Sequence, residues 1–253
     1  MYLWRKSASP KWWRENETRV RALAGSSLAT IELPKRKRLQ IEAAAESNGK
    51  LDKLAKLFGG RIEKLPRNWL KLFLRRKTRP ITIGNKRLII PAGAAFGTGE
   101  HATTAMSLRL LEKLSRNRSP GWSAVDLGTG TGILALAAKR LGATRAIGID
   151  NDPIAISTAK ANQRRNKIRG VQFRLSDVRR VKLQPKIDIV TSNLFTELLI
   201  EILPKLKAAR WLILSGVLRE QERDVRRALT RNKIDLIEVR PRGKWVAILG
   251  ASR

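Results

Sequence analysis

Hydrophobic positions along the first third of the chain fall into short apolar runs broken by two helical stripes. Tyr2-Leu3-Trp4 is strand-like, and a helix starts at Ser9-Pro10, with Ser9 placed to cap it and Pro10 at its first position. Leu28-Ala29-Thr30-Ile31-Glu32 and Leu39-Gln40-Ile41-Glu42-Ala43 are strand-like again. Leu51, Leu54 and Phe58 recur at helical spacing up to a C-cap at Gly59, and Arg61-Ile62-Glu63 follows as a last strand. The resulting order is βαββαβ. Between the two middle strands, Pro34 and the run Lys35-Arg36-Lys37-Arg38 read as an exposed turn, a basic hairpin tip.

The rhythm then changes. Residues 65–90 read as a connector, in which Pro66, Pro80 and the cluster Arg75-Arg76-Lys77 bracket an amphipathic Trp69-Leu70-Lys71-Leu72-Phe73 segment. Beyond it strands and helices alternate: strand 122–127, helix 132–141, strand 145–149, helix 153–166, strands 171–175 and 187–192, helix 197–208, strand 211–215, helix 219–230, and a final strand pair near 233–239 and 244–249. Such alternation implies parallel strands joined by crossovers, hence a doubly wound α/β sheet. Pro241-Arg242-Gly243 would turn the last two strands into an antiparallel pair. No internal repeat is apparent.

The densest chemical signal lies where Ala124-Val125-Asp126-Leu127 runs into Gly128-Thr129-Gly130-Thr131-Gly132 and on into the Ile133-Leu134 helix. Glycine tolerates positive φ there and lets a ligand lie against the backbone at a helix N-terminus. Asp150 closes the next strand, Ala146-Ile147-Gly148-Ile149, where a carboxylate can accept from both hydroxyls of a ribose. The spacing G-x-G-x-G differs from the G-x-G-x-x-G of dinucleotide sites. A polar Ser192-Asn193 ends a later apolar strand. A nucleoside cofactor is therefore expected in preference to a nicotinamide one. Asp126 reads either as a ligand contact or as a brace for the loop.

Composition narrows the choices. Hydrophobic residues form 42% of the chain, yet no apolar run approaches the roughly 18 residues that cross a bilayer. The segment Met1-Tyr2-Leu3-Trp4-Arg5-Lys6 lacks the apolar core of a secretory signal, so a cytoplasmic protein with no membrane partner is expected. With no cysteine and one histidine, thiol chemistry and multi-histidine metal sites are excluded, and no metal is expected. A net charge of +32 favours polyanionic partners, RNA above all, although general basic enrichment would give the same number. Trp12 and Trp13 read as core or interface aromatics rather than base-stacking platforms.

Upstream of the glycine loop stands Phe96-Gly97-Thr98-Gly99-Glu100-His101-Ala102-Thr103-Thr104, entered through Ile90-Pro91-Ala92-Gly93. Taken with Gly128–Leu134, with Gly148-Ile149-Asp150-Asn151-Asp152-Pro153, with Ser192-Asn193-Leu194-Phe195 and with Leu214-Ser215-Gly216-Val217-Leu218, this motif resembles the PrmA-type ribosomal protein methyltransferases. These are class I S-adenosylmethionine-dependent enzymes that modify large-subunit ribosomal protein eleven. The resemblance covers about residues 85–250. It implies a Rossmann-like methyltransferase sheet of seven strands, the last antiparallel, over residues 91–253, and a small ferredoxin-like α+β recognition domain over residues 1–64. Thr104, Gly128, Asp150 and Asn193 become cofactor contacts by it, with Phe96, Gly97, Thr98 and Gly130 in the same loops and Asp177 placed to meet the adenine amino group. Asn193 would accept from the incoming amine, and His101 would act either as general base or as the residue that orients the 96–104 loop. Thr129 stands where the family more often has Cys, and Leu194-Phe195-Thr196 where it usually has Ile-Leu-Ala. Three other readings stay open: methylation of another protein, as in the type acting on electron-transfer flavoprotein β-subunit; an RNA methyltransferase; and a non-catalytic basic ribosome-binding factor.

Overall fold

The computed structural model describes residues 1–24, 28–32, 38–45, 47–66, 80–91, 96–97, 99, 101–116, 121–184 and 187–252. The chain divides into two compact units, Met1–Phe73 and Leu74–Arg253.

The smaller unit runs β1 (Tyr2–Ala8), α1 (Pro10–Ala24), β2 (Leu28–Glu32), β3 (Leu39–Ala45), α2 (Gly49–Phe58) and β4 (Arg61–Lys64). Its sheet order is β2-β3-β1-β4 with every pair antiparallel, the ferredoxin-like arrangement. Ser9 caps α1 through its Oγ, which accepts from the Trp12 N–H at 3.1 Å, and Gly59 ends α2 at φ 68°. Leu39, Ile41 and Ala43 alternate along β3 and are buried with Trp4, Trp13, Val20, Leu51, Leu54 and Phe58. Trp13 is thus a core residue, and the half-buried Trp12 packs edge-on to Phe58. Arg5 donates to Glu42 and Glu63 on the flanking strands. Residues 35–37 of the expected hairpin tip lie outside the described residues.

The larger unit contains β5 (Ile81–Ile83), β6 (Lys86–Leu88), α3 (Ala102–Arg116), β7 (Ser123–Leu127), α4 (Ile133–Arg140), β8 (Arg145–Asp150), α5 (Pro153–Arg165), β9 (Val171–Leu175), β10 (Ile187–Asn193), α6 (Thr196–Leu206), β11 (Ala209–Leu218), α7 (Glu222–Arg231), β12 (Ile234–Arg242) and β13 (Trp245–Ser252). Its seven-stranded sheet has the order β12-β13-β11-β10-β7-β8-β9, and β13 alone runs antiparallel to its neighbours. Successive residues of a strand feed opposite faces. Val125 joins the layer under α6 and α7 while Ala124 joins the layer under α3, α4 and α5; Val246 and Ile248 of β13 go one way, Ala247 and Leu249 the other. Burial on both sides is why these strands read as continuous apolar runs. The chain reverses its direction across the sheet between β7 and β10, so their carboxyl ends open a crevice at the switch point.

Two elements depart from the sequence reading. Residues 81–88, placed in the connector, form the β5–β6 hairpin, with Ile83, Leu88 and Ile90 buried in the larger unit's core. Three-residue strands with one fully buried side chain each carry too little periodicity to register. Asn166 holds the hairpin's exit, accepting from the Ile89 N–H at 2.7 Å and donating to its carbonyl at 2.8 Å. The sequence reading also assigned no element to α3, whose first turn buries the polar Thr103 and Thr104 ahead of its apolar stripe. The connector's 69–73 and 75–77 segments lie outside the described residues.

Candidate functional site

The glycine loop is held from below by Asp126, which is 2% exposed on β7. Its carboxylate accepts from the hydroxyls of Thr129 at 2.6 Å and Thr191 at 2.7 Å, fixing the first turn of the loop to β10. Burial pushes its pKa up to about 6, the two hydroxyl bonds pull it down, and the charge of Asp150 adds to the rise. Asp126 is therefore a brace, and Thr129 completes it.

Gly128, Gly130 and Gly132 all sit at positive φ. At Gly130 (φ 52°) a side chain would strike the Phe96 carbonyl, which accepts from the Thr131 N–H at 3.0 Å. The glycine there is required because the upstream motif lies directly on the loop. Gly97 belongs to the same junction, its carbonyl accepting from the Thr131 hydroxyl at 2.5 Å.

Asp150 ends β8. Its Oδ2 accepts from the Gly130 N–H at 2.8 Å and its Oδ1 from the Asp152 N–H at 3.0 Å. A carboxylate offers about four acceptor positions, so two remain for hydroxyls of a ligand. Asp177, after β9, accepts from the Arg179 N–H at 2.8 Å through Oδ1 and lines the same space. The crevice they share is about 420 Å³, and Phe96, Gly128, Gly130, Asn193 and Phe195 also line it. Phe96 and Phe195 are exposed at its rim, 57% and 58% respectively.

Asn193 ends β10 on the opposite wall. Its amide nitrogen donates to the hydroxyl of Thr103 at 3.1 Å and reaches that of Thr104 at 3.4 Å. Both amide hydrogens are thereby committed, and Oδ1 is the group left to act as an acceptor. His101 is the N-terminal cap of α3: its carbonyl accepts from the Ala105 N–H, and its Nδ1 accepts from the Thr103 N–H at 3.4 Å. Nδ1 lies 2.7 Å from the Thr103 hydroxyl. In the tautomer protonated on Nε2, the Thr103 hydroxyl donates to Nδ1 and a chain of donors runs from Asn193 through Thr103 to His101. The imidazole is clamped between Phe96 and Trp245, with ring centroids 5.3 and 5.4 Å away.

The structure thus gathers Phe96, Gly128, Gly130, Asp150, Asp177 and Asn193 around one crevice. Thr104 and His101 stand behind Asn193, not among the lining residues, and Thr98 lies outside the described residues. Thr103, to which the sequence reading gave no role, is the hub of the network. Two adjacent hydroxyls at the start of a helix were its only local signal. Trp245 reaches His101 from β13 and had none.

Order of strands, antiparallel β13 and a crevice at the β7/β10 switch point together define a Rossmann-like methyltransferase fold. A ribosomal protein L11 methylase from Lactobacillus delbrueckii subsp. bulgaricus shares this fold, with a TM-score of 0.62 over 70% of this chain and 91% of that one at 24% identity. The family model of the ribosomal protein L11 methyltransferase (PrmA) matches residues 72–253, and the chain belongs to that family. Curated relatives carrying the same name include one from Symbiobacterium thermophilum, 34% identical over 192 residues, and one from Thermosipho africanus, 45% identical over 133 residues. The first match covers 68% of this chain and 62% of the relative, the second 51% and 49%. The chain thus matches about three-fifths or less of these relatives' length. The smaller unit, apart from its last residues, precedes the family match.

Proposed function

We propose that this chain transfers methyl groups from S-adenosylmethionine to lysine or α-amino nitrogens of a protein, ribosomal protein L11 in the first instance. The observation that carries this reading is Asn193, an acceptor whose two donor hydrogens are tied back, set in one crevice with a strand-end carboxylate at Asp150. Family membership supplies the substrate class.

The residues present fit such a cofactor. The crevice falls within the roughly 300–1,000 Å³ usual for small-molecule sites. Asp150 keeps acceptor capacity for ribose hydroxyls, Gly128 and Gly130 present bare backbone, and Asp177 stands where an adenine amino group would donate. When bound, the cofactor supplies an electrophilic methyl on a sulfonium. Asn193 Oδ1 accepts a hydrogen bond from the incoming amine and points its lone pair, while Thr103 and Thr104 hold the amide in that orientation. A free lysine of pKa about 10.4 is neutral in only about one molecule in a few thousand at pH 7, so orienting the rare neutral amine is the main task. His101 positions this network through Thr103. Phe96 and Phe195 flank the entrance.

The smaller unit, with its ferredoxin-like sheet, is proposed to recognise the protein substrate, and the reaction to take place in the cytoplasm close to ribosomal RNA. None of the helices described is long and apolar enough to cross a membrane. The test is to incubate the protein and methyl-labelled cofactor with free L11, with whole ribosomes and with naked ribosomal RNA. Label in L11 is the expected result. Label in RNA alone would make it an RNA methyltransferase, label only in some other protein would move the substrate, and absence of cofactor binding by calorimetry would leave a non-catalytic ribosome-binding factor.

A further inference from the structure

On the edge of the larger unit's sheet opposite the crevice, where the parallel strands begin, lies a groove of about 840 Å³. Three connections form it: the segment leading to β10, the turn between α6 and β11, and the turn between α7 and β12. Arg180, Lys182, Lys205, Lys207, Arg231 and Lys233 line it, all exposed, and no Asp or Glu stands among the described lining residues. None of the six forms an ion pair with a described carboxylate. Lys205 is anchored by donating to the Arg179 carbonyl. Elsewhere on this surface arginines are neutralised by local partners, as Arg226 is by Glu222 and Arg179 by Glu201. Half the lining is cationic, against about a fifth of the whole chain.

We propose that this groove is a docking surface for the phosphate backbone of RNA. Unpaired lysines and arginines around a concavity release condensed counterions when they meet closely spaced phosphates. Among the described residues the remaining lining, including Val181, Leu183 and Pro204, contains no aromatic ring on which bases could stack, so contact is to the backbone, without sequence readout. A flat anionic lipid surface does not fill a concavity, and among the described residues no exposed aromatic or long apolar side chain lines this one to insert. The choice of RNA over other polyanions rests on the proposed ribosomal substrate. The groove shares no lining residue with the crevice, although Arg180 of the one follows Arg179 of the other, and neither Asn193 nor Asp150 lines the groove.

The test is fluorescence anisotropy with a labelled double-helical RNA hairpin across a range of salt concentrations, with no cofactor present. Three proteins are compared: wild type, a groove triple (Lys182→Gln, Lys207→Gln, Arg231→Gln), and a control triple on exposed positions of α5 (Lys160→Gln, Arg164→Gln, Arg165→Gln). The groove triple should lose about tenfold or more in affinity near 0.1 M salt, and its slope of log affinity against log salt should flatten by about two to three. The control triple should lose much less. Equal losses in both triples would show that net charge alone binds RNA and would overturn the proposal, as would unchanged binding by the groove triple. A DNA duplex of the same length that displaced the RNA at equal concentration would remove the assignment to RNA. Methyl transfer to free L11 should be the same in wild type and groove triple; loss of that activity in all three proteins would count against the proposed reaction and leave the docking result standing.

Discussion

Replacing Asp126 with Asn tests whether a buried charge beneath the glycine loop is tolerated at the expense of stability. The carboxylate is 2% exposed, and burial holds its pKa at about 6 against a usual value of 3.8. Between those values the folded chain keeps a proton that the unfolded chain has lost. The unfolded state binds fewer protons there, so this group's contribution to stability falls as pH rises from about 3.8 to about 6 and is flat above and below. The difference of about two units corresponds to about 3 kcal/mol, at 1.36 kcal/mol per unit. Asp126→Asn removes the titration. It also turns one acceptor into a donor, so Thr129 or Thr191 must rotate its hydroxyl to accept, at a cost that does not change with pH.

The measurement is therefore the difference in melting temperature between variant and wild type, followed from about pH 3.5 to 7.5. Every other titrating group is common to the two proteins and cancels. Relative to its value in acid, the variant should gain on wild type by about 6 to 12 °C at neutral pH, taking 2 to 4 °C per kcal/mol for a unit of this size. A difference that stays constant across this range would refute the reasoning. It would mean that Asp126 ionises at its ordinary pKa and that the hydroxyls of Thr129 and Thr191 solvate the charge completely.

Asp150→Ala should weaken cofactor binding by about 10- to 100-fold, because it removes the acceptor for ribose hydroxyls and frees the Gly130 and Asp152 N–H groups together; calorimetry showing undiminished affinity would place the ribose elsewhere. Thr103→Val keeps the volume and deletes the link between Asn193 and His101. It should lower kcat by about 10- to 100-fold with little change in cofactor KM, and Thr103→Ser should restore most of the loss. Turnover equal to wild type in the valine variant, or no rescue by serine, would show that Asn193 does not need the hydroxyl.

What the sequence disclosed about the site was what lies close together along the chain. Gly128, Gly130 and Asp150 stand on consecutive strand ends of an alternating α/β pattern, so their convergence followed from strand order alone. Asn193 followed as well, because an amide closing an apolar strand has no packing reason to be there. The capping pair Ser9-Pro10 and the terminating Gly59 marked the helices of the smaller unit for similar local reasons. Thr103 escaped because its role depends on which way a buried hydroxyl donates, and that is set jointly by a backbone N–H on one side and an amide from another strand on the other. The β5–β6 hairpin escaped because its order comes from Asn166 and from the core that covers Ile83 and Leu88, not from its own six residues. The basic groove is built from three separate turns. Each contributes only two cations, and a scatter of lysine and arginine along the chain hid their meeting.

The distribution of charge around the crevice bears on how an amine could lose its proton there. Asp150 and Asp177 each accept backbone N–H groups, and these bonds commit them to holding the loops as well as a ligand. Asp126 is sealed beneath the loop by two hydroxyls. At the β10 end, the side chain offered to the crevice is a neutral amide. A carboxylate in that position would bind a lysine more tightly, yet it would do so by stabilising the ammonium and would raise the very pKa that must be overcome. An amide oxygen also accepts more strongly from an ammonium than from a neutral amine, but it stabilises the ammonium far less than a carboxylate would, so it can orient the nitrogen while raising its pKa less. The Thr103 and Thr104 hydroxyls serve this arrangement by consuming the amide's donors, which would otherwise repel the incoming N–H groups. In the proposed reaction the aim of the Asn193 oxygen thus rests on the hydroxyls of Thr103 and Thr104, and through Thr103 on the histidine cap of α3.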